Sequence, residues 1–313
     1  MNNRKPIKKR ASLYDAHFYN ILDYFILAIL VAGVLIFILY PLLCMVKQSF
    51  AGTEGFSTEV YKSIFSDNLV LVKNSVFVGN LSAFFSTIAG LLVAICVWVA
   101  GKKMGKVLET ILLISMVSPP FIASLAYIQL FGRNGLITKG LLGLSLNPYG
   151  WLGVVVMQTL FFASLNALMI LGMLKKMDMS LVRAYFDLGA SSGYTLWRIV
   201  VPLLRPILLS CYLLSFIRSI ADFGTPVVIG GRFETVSTEI YMQVIGYSRL
   251  DKSAALNVLL LVPTIIVFVL YRYLMKKNEK VIDGNSNKTI EAGNTFRLRG
   301  MSAIVVWLGA GFF

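Results

Sequence analysis

Apolar runs recur along the chain at 24–46, 74–100, 107–131, 151–174, 207–223 and 254–273, with shorter polar stretches between them. A helix rises 1.5 Å per residue, so about 20 apolar residues cross a hydrocarbon core of about 30 Å. The pattern predicts an all-α polytopic membrane protein with six transmembrane helices over 24–274. Strict period-2 alternation in segments of about 10 residues, the mark of a membrane β-barrel, does not occur. A further apolar run at 303–313 has about half the spanning length and reads as the start of a truncated seventh segment. Between them, 275–302 is polar around its Asn278–Asn294 stretch and reads as a cytosolic linker.

Composition agrees with this pattern. Of 313 residues 57% are hydrophobic and 14% charged, with a mean hydropathy of +0.77. The net charge of +14 would fit nucleic acid, but the basic residues cluster beside the apolar runs, as a topology signal does. With 1–23 in the cytosol, the inner segments hold Arg4, Lys5, Lys8, Lys9, Arg10, Lys102, Lys103, Lys106, Lys175 and Lys176, and most of the remainder follows. The outer loops hold fewer, and Glu54, Glu59, Asp67, Glu234, Glu239 and Asp251 offset them. The N-terminus is therefore placed inside. The first run is too long for the core of a signal peptide and is read as a retained span. Cys44, Cys96 and Cys211 lie in apolar runs without C-x-x-C spacing and read as buried small apolar residues. His17 is the only histidine, so the sequence offers no histidine cluster for a metal.

One polar segment, 175–206, is too patterned for an idle loop. Ser180 can cap a helix whose Leu181, Ala184, Tyr185 and Leu188 share one apolar face. Gly189 fits the left-handed position past a helix end. Ser191 or Ser192 can cap a second short helix through Trp197, and Pro202 and Pro206 mark re-entry into the membrane. Two short helices joined at a glycine make a knob on the cytosolic face, suited to dock in a groove on another protein.

Other residues have two readings each. Arg218 and Asp222, four apart in the fifth run, form either an intrahelical ion pair or part of a pathway. Ser118-Pro119-Pro120 interrupts the third run as a hinge or a static kink. Ser82, Ser86, Gly90 and Ala94 form a ridge of small residues that predicts close helix packing. Glu239 and Tyr241 either meet a binding protein or iron, for which oxygen ligands suit, or lie on a solvated outer loop, the reading taken here. No Gly-x4-Gly-Lys-Ser/Thr loop occurs, so any ATP is bound by a partner.

The knob resembles the cytosolic signature E-A-A-x3-G-x9-I-x-L-P of bacterial ABC importer permeases. The motif falls without a gap on Arg183, Ala184, Tyr185, Gly189, Ile199, Val201 and Pro202, with Asp187 inside it. Arg183 replaces the acidic residue and Tyr185 an alanine. Asn74-Ser75 resembles the usual start of the permease core, which then covers about 74–274. Ala221-Asp222-Phe223-Gly224-Thr225-Pro226 and the stretch 238–244 resemble the iron(III) branch, whose permeases are often two fused six-span halves. The resemblance implies the N-terminal half of such a permease in a bacterial inner membrane. It implies ABC ATPase subunits that bind ATP and Mg, an extracytoplasmic binding protein and a second permease half. It implies no catalysis, cofactor or metal site of the chain's own. Phosphonate, polyamine, thiamine or sulfate import is the alternative within the superfamily. An ion-coupled secondary transporter and an inactive fragment are the alternatives outside it.

Overall fold

The computed structural model describes residues 24–52, 55–56, 59–67, 69–141, 143, 147–177 and 179–283. The expectations for 1–23, for the linker beyond 283 and for 303–313 lie outside the described residues. Helices dominate, and one minimal antiparallel pairing joins Ala51–Gly52 to Gly55–Phe56. In chain order the helices are α1 Tyr24–Ser49, α2 Glu59–Asp67, α3 Leu69–Val99, α4 Lys102–Ser115, α5 Pro120–Phe131 and α6 Trp151–Lys176. They continue as α7 Met179–Asp187, α8 Ser192–Ala221, α9 Gly224–Ile229, α10 Val236–Ile245 and α11 Leu250–Asp283. Among the described residues, α1, α3, α6, α8 and the Leu250–Leu274 part of α11 are long and apolar enough to cross a membrane.

Five such helices stand where six were expected, because the third run divides. Pro119 and Pro120 both lack a backbone N–H, and a residue before proline is driven out of the helical region. Pro119 is accordingly extended, at φ −63° and ψ 142°, and α5 begins after it. The last turn of α4 tightens, with Met116 N–H bonding Leu113 O and Val117 N–H bonding Ile114 O. The expected kink is a complete break.

The core lies where α3, α6 and α8 meet. Ser82, Ser86, Gly90 and Ala94 of α3 are all buried, as the small-residue ridge predicts. A methyl group on Gly90 would stand 2.6 Å from Asn166 Cβ and 3.0 Å from Ala167 N, so only glycine permits this approach. Along the same seam, Leu91, Ala94 and Ile95 pack with Ala167, Ile170, Leu171 and Leu174 of α6 and with Leu204 and Cys211 of α8. By contrast, no residue of α1 from Tyr24 to Gln48 is buried, as suits a helix bathed in lipid. Its last turns meet α11, and Tyr61 Oη of α2 donates to Ser49 Oγ at 2.8 Å.

The second half of the polar segment also differs from expectation. No separate short helix ends at Trp197, since the chain is helical without interruption from Ser192 to Ala221. The proline at 202 supplies no N–H for Arg198 O and its ring crowds that carbonyl. The helix answers with a π turn over Leu196–Val200, in which Val201 N–H reaches back to Leu196 O. Pro206 is carried inside the same helix. At the other end of the chain, α11 runs to Asp283, nine residues into the stretch read as linker from 275.

Candidate functional site

The knob at 179–200 is built from a helix stop and a helix start. Gly189 has φ +82°, the left-handed conformation that glycine adopts without strain. Ala190 N–H bonds Tyr185 O at 3.0 Å and Gly189 N–H bonds Phe186 O at 2.9 Å. This pair of bonds closes α7 in a Schellman arrangement. Ser191 then caps α8, its Oγ accepting from Tyr194 N–H at 3.3 Å.

The two faces of the knob are opposite in role. Val182, Leu196 and Val200 are buried and belong to the main core, with Phe186 packed against it. The knob is thereby fixed to the ends of α3 and α6. Three of the four residues that the sequence places on an apolar face point the other way. Ala184, Tyr185 and Leu188 are exposed, Leu188 by 84%, and Tyr194 and Trp197 are exposed beside them. Asp187 is also exposed, whereas Ile199 and Pro202 are half-buried. Arg183 lies within α7, and its side chain is outside the described set.

Two buried polar layers cross the apolar core, and the sequence reading had singled out neither. In the first, Asn166 of α6 donates through Nδ2 to Ser215 Oγ of α8 at 2.9 Å and to Ser86 Oγ of α3 at 3.2 Å. Ser215 Oγ returns a bond to Asn166 Oδ1 at 3.1 Å. In the second, Gln158 of α6 accepts from Ser219 Oγ and donates through Nε2 to Asp222 Oδ2 at 3.0 Å. An amide every eight residues on one helix face was the available signal, because a buried amide in an apolar run needs partners.

Asp222 is not the partner of Arg218. Helix α8 stops at Ala221, and Asp222 turns extended, so the four-residue spacing no longer places the two side chains on one face. Asp222 Oδ1 instead accepts from Thr225 N–H at 3.2 Å, in the first turn of α9. Arg218 is exposed, and the ion pair found among the described residues joins Lys175 to Glu109, between α6 and α4, at 2.7 Å.

The segment around 239 is a helix rather than a loop. Glu239 accepts from Gln243 Nε2 at 2.6 Å, and Tyr241 stacks on Phe223 with ring centroids 5.2 Å apart. Asn74 and Ser75 lie inside α3 and hold this segment in place. Asn74 Nδ2 donates to Glu234 O at 2.9 Å, and Ser75 Oγ accepts from Val236 N–H at 2.8 Å. Cys96 and Cys211 are buried as expected, but Cys44 is exposed on α1. Among the described residues no group of three or more His, Cys, Asp or Glu could hold a metal.

Comparison with known proteins adds to this geometry. The family described as binding-protein-dependent transport system inner membrane component matches residues 86–280. A candidate ferric transport system permease protein of Haemophilus influenzae is 30% identical over 277 residues, covering 84% of this chain and 44% of the relative. A ferric transport system permease protein of Actinobacillus pleuropneumoniae is 29% identical over 277 residues, covering 84% of this chain and 40% of the relative. The chain thus spans less than half the length of these relatives. A spermidine/putrescine transport system permease protein of Escherichia coli is 24% identical over 250 residues, covering 77% and 90%. Among solved structures, a bacterial ABC transporter that imports the acidic polysaccharide alginate shares the fold. Its TM-score is 0.69 at 16% identity, over 86% of this chain and 99% of that one.

Proposed function

We propose an import cycle for this chain from one premise: it belongs to the family of binding-protein-dependent transport system inner membrane components. It is a permease subunit of an ABC transporter and performs no catalysis itself. In our reading it serves an ATP-driven importer of iron(III) or an iron chelate, in a bacterial inner membrane with its N-terminus in the cytosol. An extracytoplasmic binding protein delivers the solute, and a second permease half completes the pathway. Partner ATPases bind ATP and Mg and grip the knob formed by Arg183, Ala184, Tyr185, Asp187, Gly189, Ile199 and Pro202. Pro119 and Pro120 are the hinge. Asp222 takes a structural part, and exposed Arg218 is the candidate for the pathway.

One observation carries the docking reading. The knob buries Val182, Leu196 and Val200 and leaves Tyr185, Leu188, Tyr194 and Trp197 exposed at the polar end of the bundle. Apolar side chains gathered in this way at a water-facing end favour a protein partner. With its inner face in the core, a push on the outer face reaches α3, α6 and α8 directly. Family membership removes the ion-coupled alternative.

The iron assignment rests on two relatives named as ferric permeases over 84% of the chain. Relatives named for spermidine/putrescine and for molybdenum keep other solutes as the alternative. The test uses the complex reconstituted in vesicles with its ATPase and binding protein. Iron(III) is expected to stimulate ATP hydrolysis and to accumulate inside. Stimulation by spermidine or molybdate with none by iron(III) overturns the assignment.

A further inference from the structure

Two interrupted helices meet at Asp222. The first interruption separates α4 from α5 at Pro119, and the second separates α8 from α9 at Asp222 and Phe223. Helix α9 packs on α5. A methyl group on Gly224 would lie 3.6 Å from Asp222 Oδ1 and 3.8 Å from Phe121 N, in the first turn of α5.

The far end of α9 is fixed to α6 independently. Gly150 N–H donates to Ile229 O at 2.9 Å, and the Ile229 side chain sits against Gly153, where a methyl group would come within 2.7 Å of it. Helices α5, α6 and α9 therefore form one packed block. Polar bonds tie the end of α8 to that block. Gln158 of α6 engages Ser219 and Asp222, and Asp222 engages the first turn of α9.

We propose that Asp222 and Gln158 form a brace that locks the end of α8 to the α5–α6–α9 block, so that both interrupted spans move as one unit. The use of this unit in alternating access rests on the import reading, whereas the brace itself does not. The donor pattern explains why these two residue types stand here. Gln158 presents an acceptor to Ser219 Oγ and a donor to Asp222, and Asp222 presents acceptors to both Gln158 and Thr225 N–H. Asparagine at 222 has one acceptor for two donors, Gln158 Nε2 and Thr225 N–H, so one of the two bonds is lost. Glutamate at 158 would face carboxylate to carboxylate. The exchange of both, Gln158→Glu with Asp222→Asn, restores a donor against an acceptor and leaves a carboxylate oxygen at position 158 free to accept from Ser219.

The experiment measures spin-label distances in the full chain in lipid nanodiscs, with Cys44, Cys96 and Cys211 replaced. One label pair joins exposed Arg218 of α8 to exposed Leu125 of α5. A control pair joins exposed Phe84 of α3 to exposed Val156 of α6. The expected result is a single narrow Arg218–Leu125 distance in the parent, its loss in each single variant at positions 158 and 222, and its return in the exchanged double variant. The control distance stays narrow throughout, which shows that the fold is retained. A narrow Arg218–Leu125 distance in both single variants overturns the brace, and so does failure of the double variant to restore it. No ATPase or solute takes part, so this outcome is independent of whether the import reading stands.

Discussion

Asn166 and Ser215 exchange two hydrogen bonds across the α6–α8 interface, Asn166 Nδ2 to Ser215 Oγ at 2.9 Å and Ser215 Oγ to Asn166 Oδ1 at 3.1 Å. Both residues are fully buried. Hydrogen bonds between membrane helices contribute about 0.6 kcal/mol on average and up to about 1.7 kcal/mol. Here one amide serves both α3 and α8, so the upper part of that range is expected for the coupling between Asn166→Ala and Ser215→Ala. A double-mutant cycle on reversible unfolding in mixed micelles measures it, and additive single effects would mean that the two side chains act separately.

Two glycines on the central helices separate packing from propensity. Gly90→Ala puts a methyl group 2.6 Å from Asn166 Cβ, and overpacking of this kind costs about 1–3 kcal/mol. Nothing lies within 4 Å of a methyl group on Gly172, also in a helix, so Gly172→Ala is neutral or stabilising by about 0.5–1 kcal/mol. Thermal melting of the purified chain should move in opposite directions for the two variants, or down for Gly90→Ala alone.

How much of this was legible in the sequence depended on whether a feature was local. The spans at 24–46, 151–174 and 254–273, the close-packing ridge through Gly90 and the left-handed turn at Gly189 follow from periodicity and one-residue chemistry, and the structure has each of them. The break at Pro119 was visible as a proline pair, but its depth was not, since a lone proline kinks a helix and two in sequence end it. The Arg218–Asp222 pairing failed for a different reason. Four-residue spacing places two groups together only while the helix continues, and Asp222 has partners in Gln158 and Thr225 that lie outside its own helix. The outward turn of Tyr185 and Leu188 was hidden because an apolar helix face reads the same whether it meets the core or a partner.

Ser75 predicts a local effect on the segment that follows α9. Its Oγ accepts from Val236 N–H at 2.8 Å, and both groups are buried. Ser75→Ala leaves that amide unpaired, at a cost of about 1–3 kcal/mol. Hydrogen exchange should quicken over Val236–Ile245, the extent of α10, while exchange within α6 stays as slow as before.

The salt bridge between Lys175 and Glu109 should matter little to stability. Lys175 is 53% exposed and Glu109 31%, and exposed pairs contribute about 0–1 kcal/mol. Glu109→Gln is expected to leave the melting temperature within that small range, with any shift fading as salt is raised.

The docking role of the knob is tested most directly by co-purification of the cognate ATPase with variants at Gly189. Valine is branched at Cβ and resists φ +82°, whereas asparagine tolerates it, and open space surrounds the position in either case. Gly189→Val is expected to lose the ATPase and Gly189→Asn to retain it, while Leu188→Asp, which leaves the turn intact and charges the outward face, loses it as well. Full retention of the ATPase by both Gly189→Val and Leu188→Asp would mean that the knob is not where the ATPase docks.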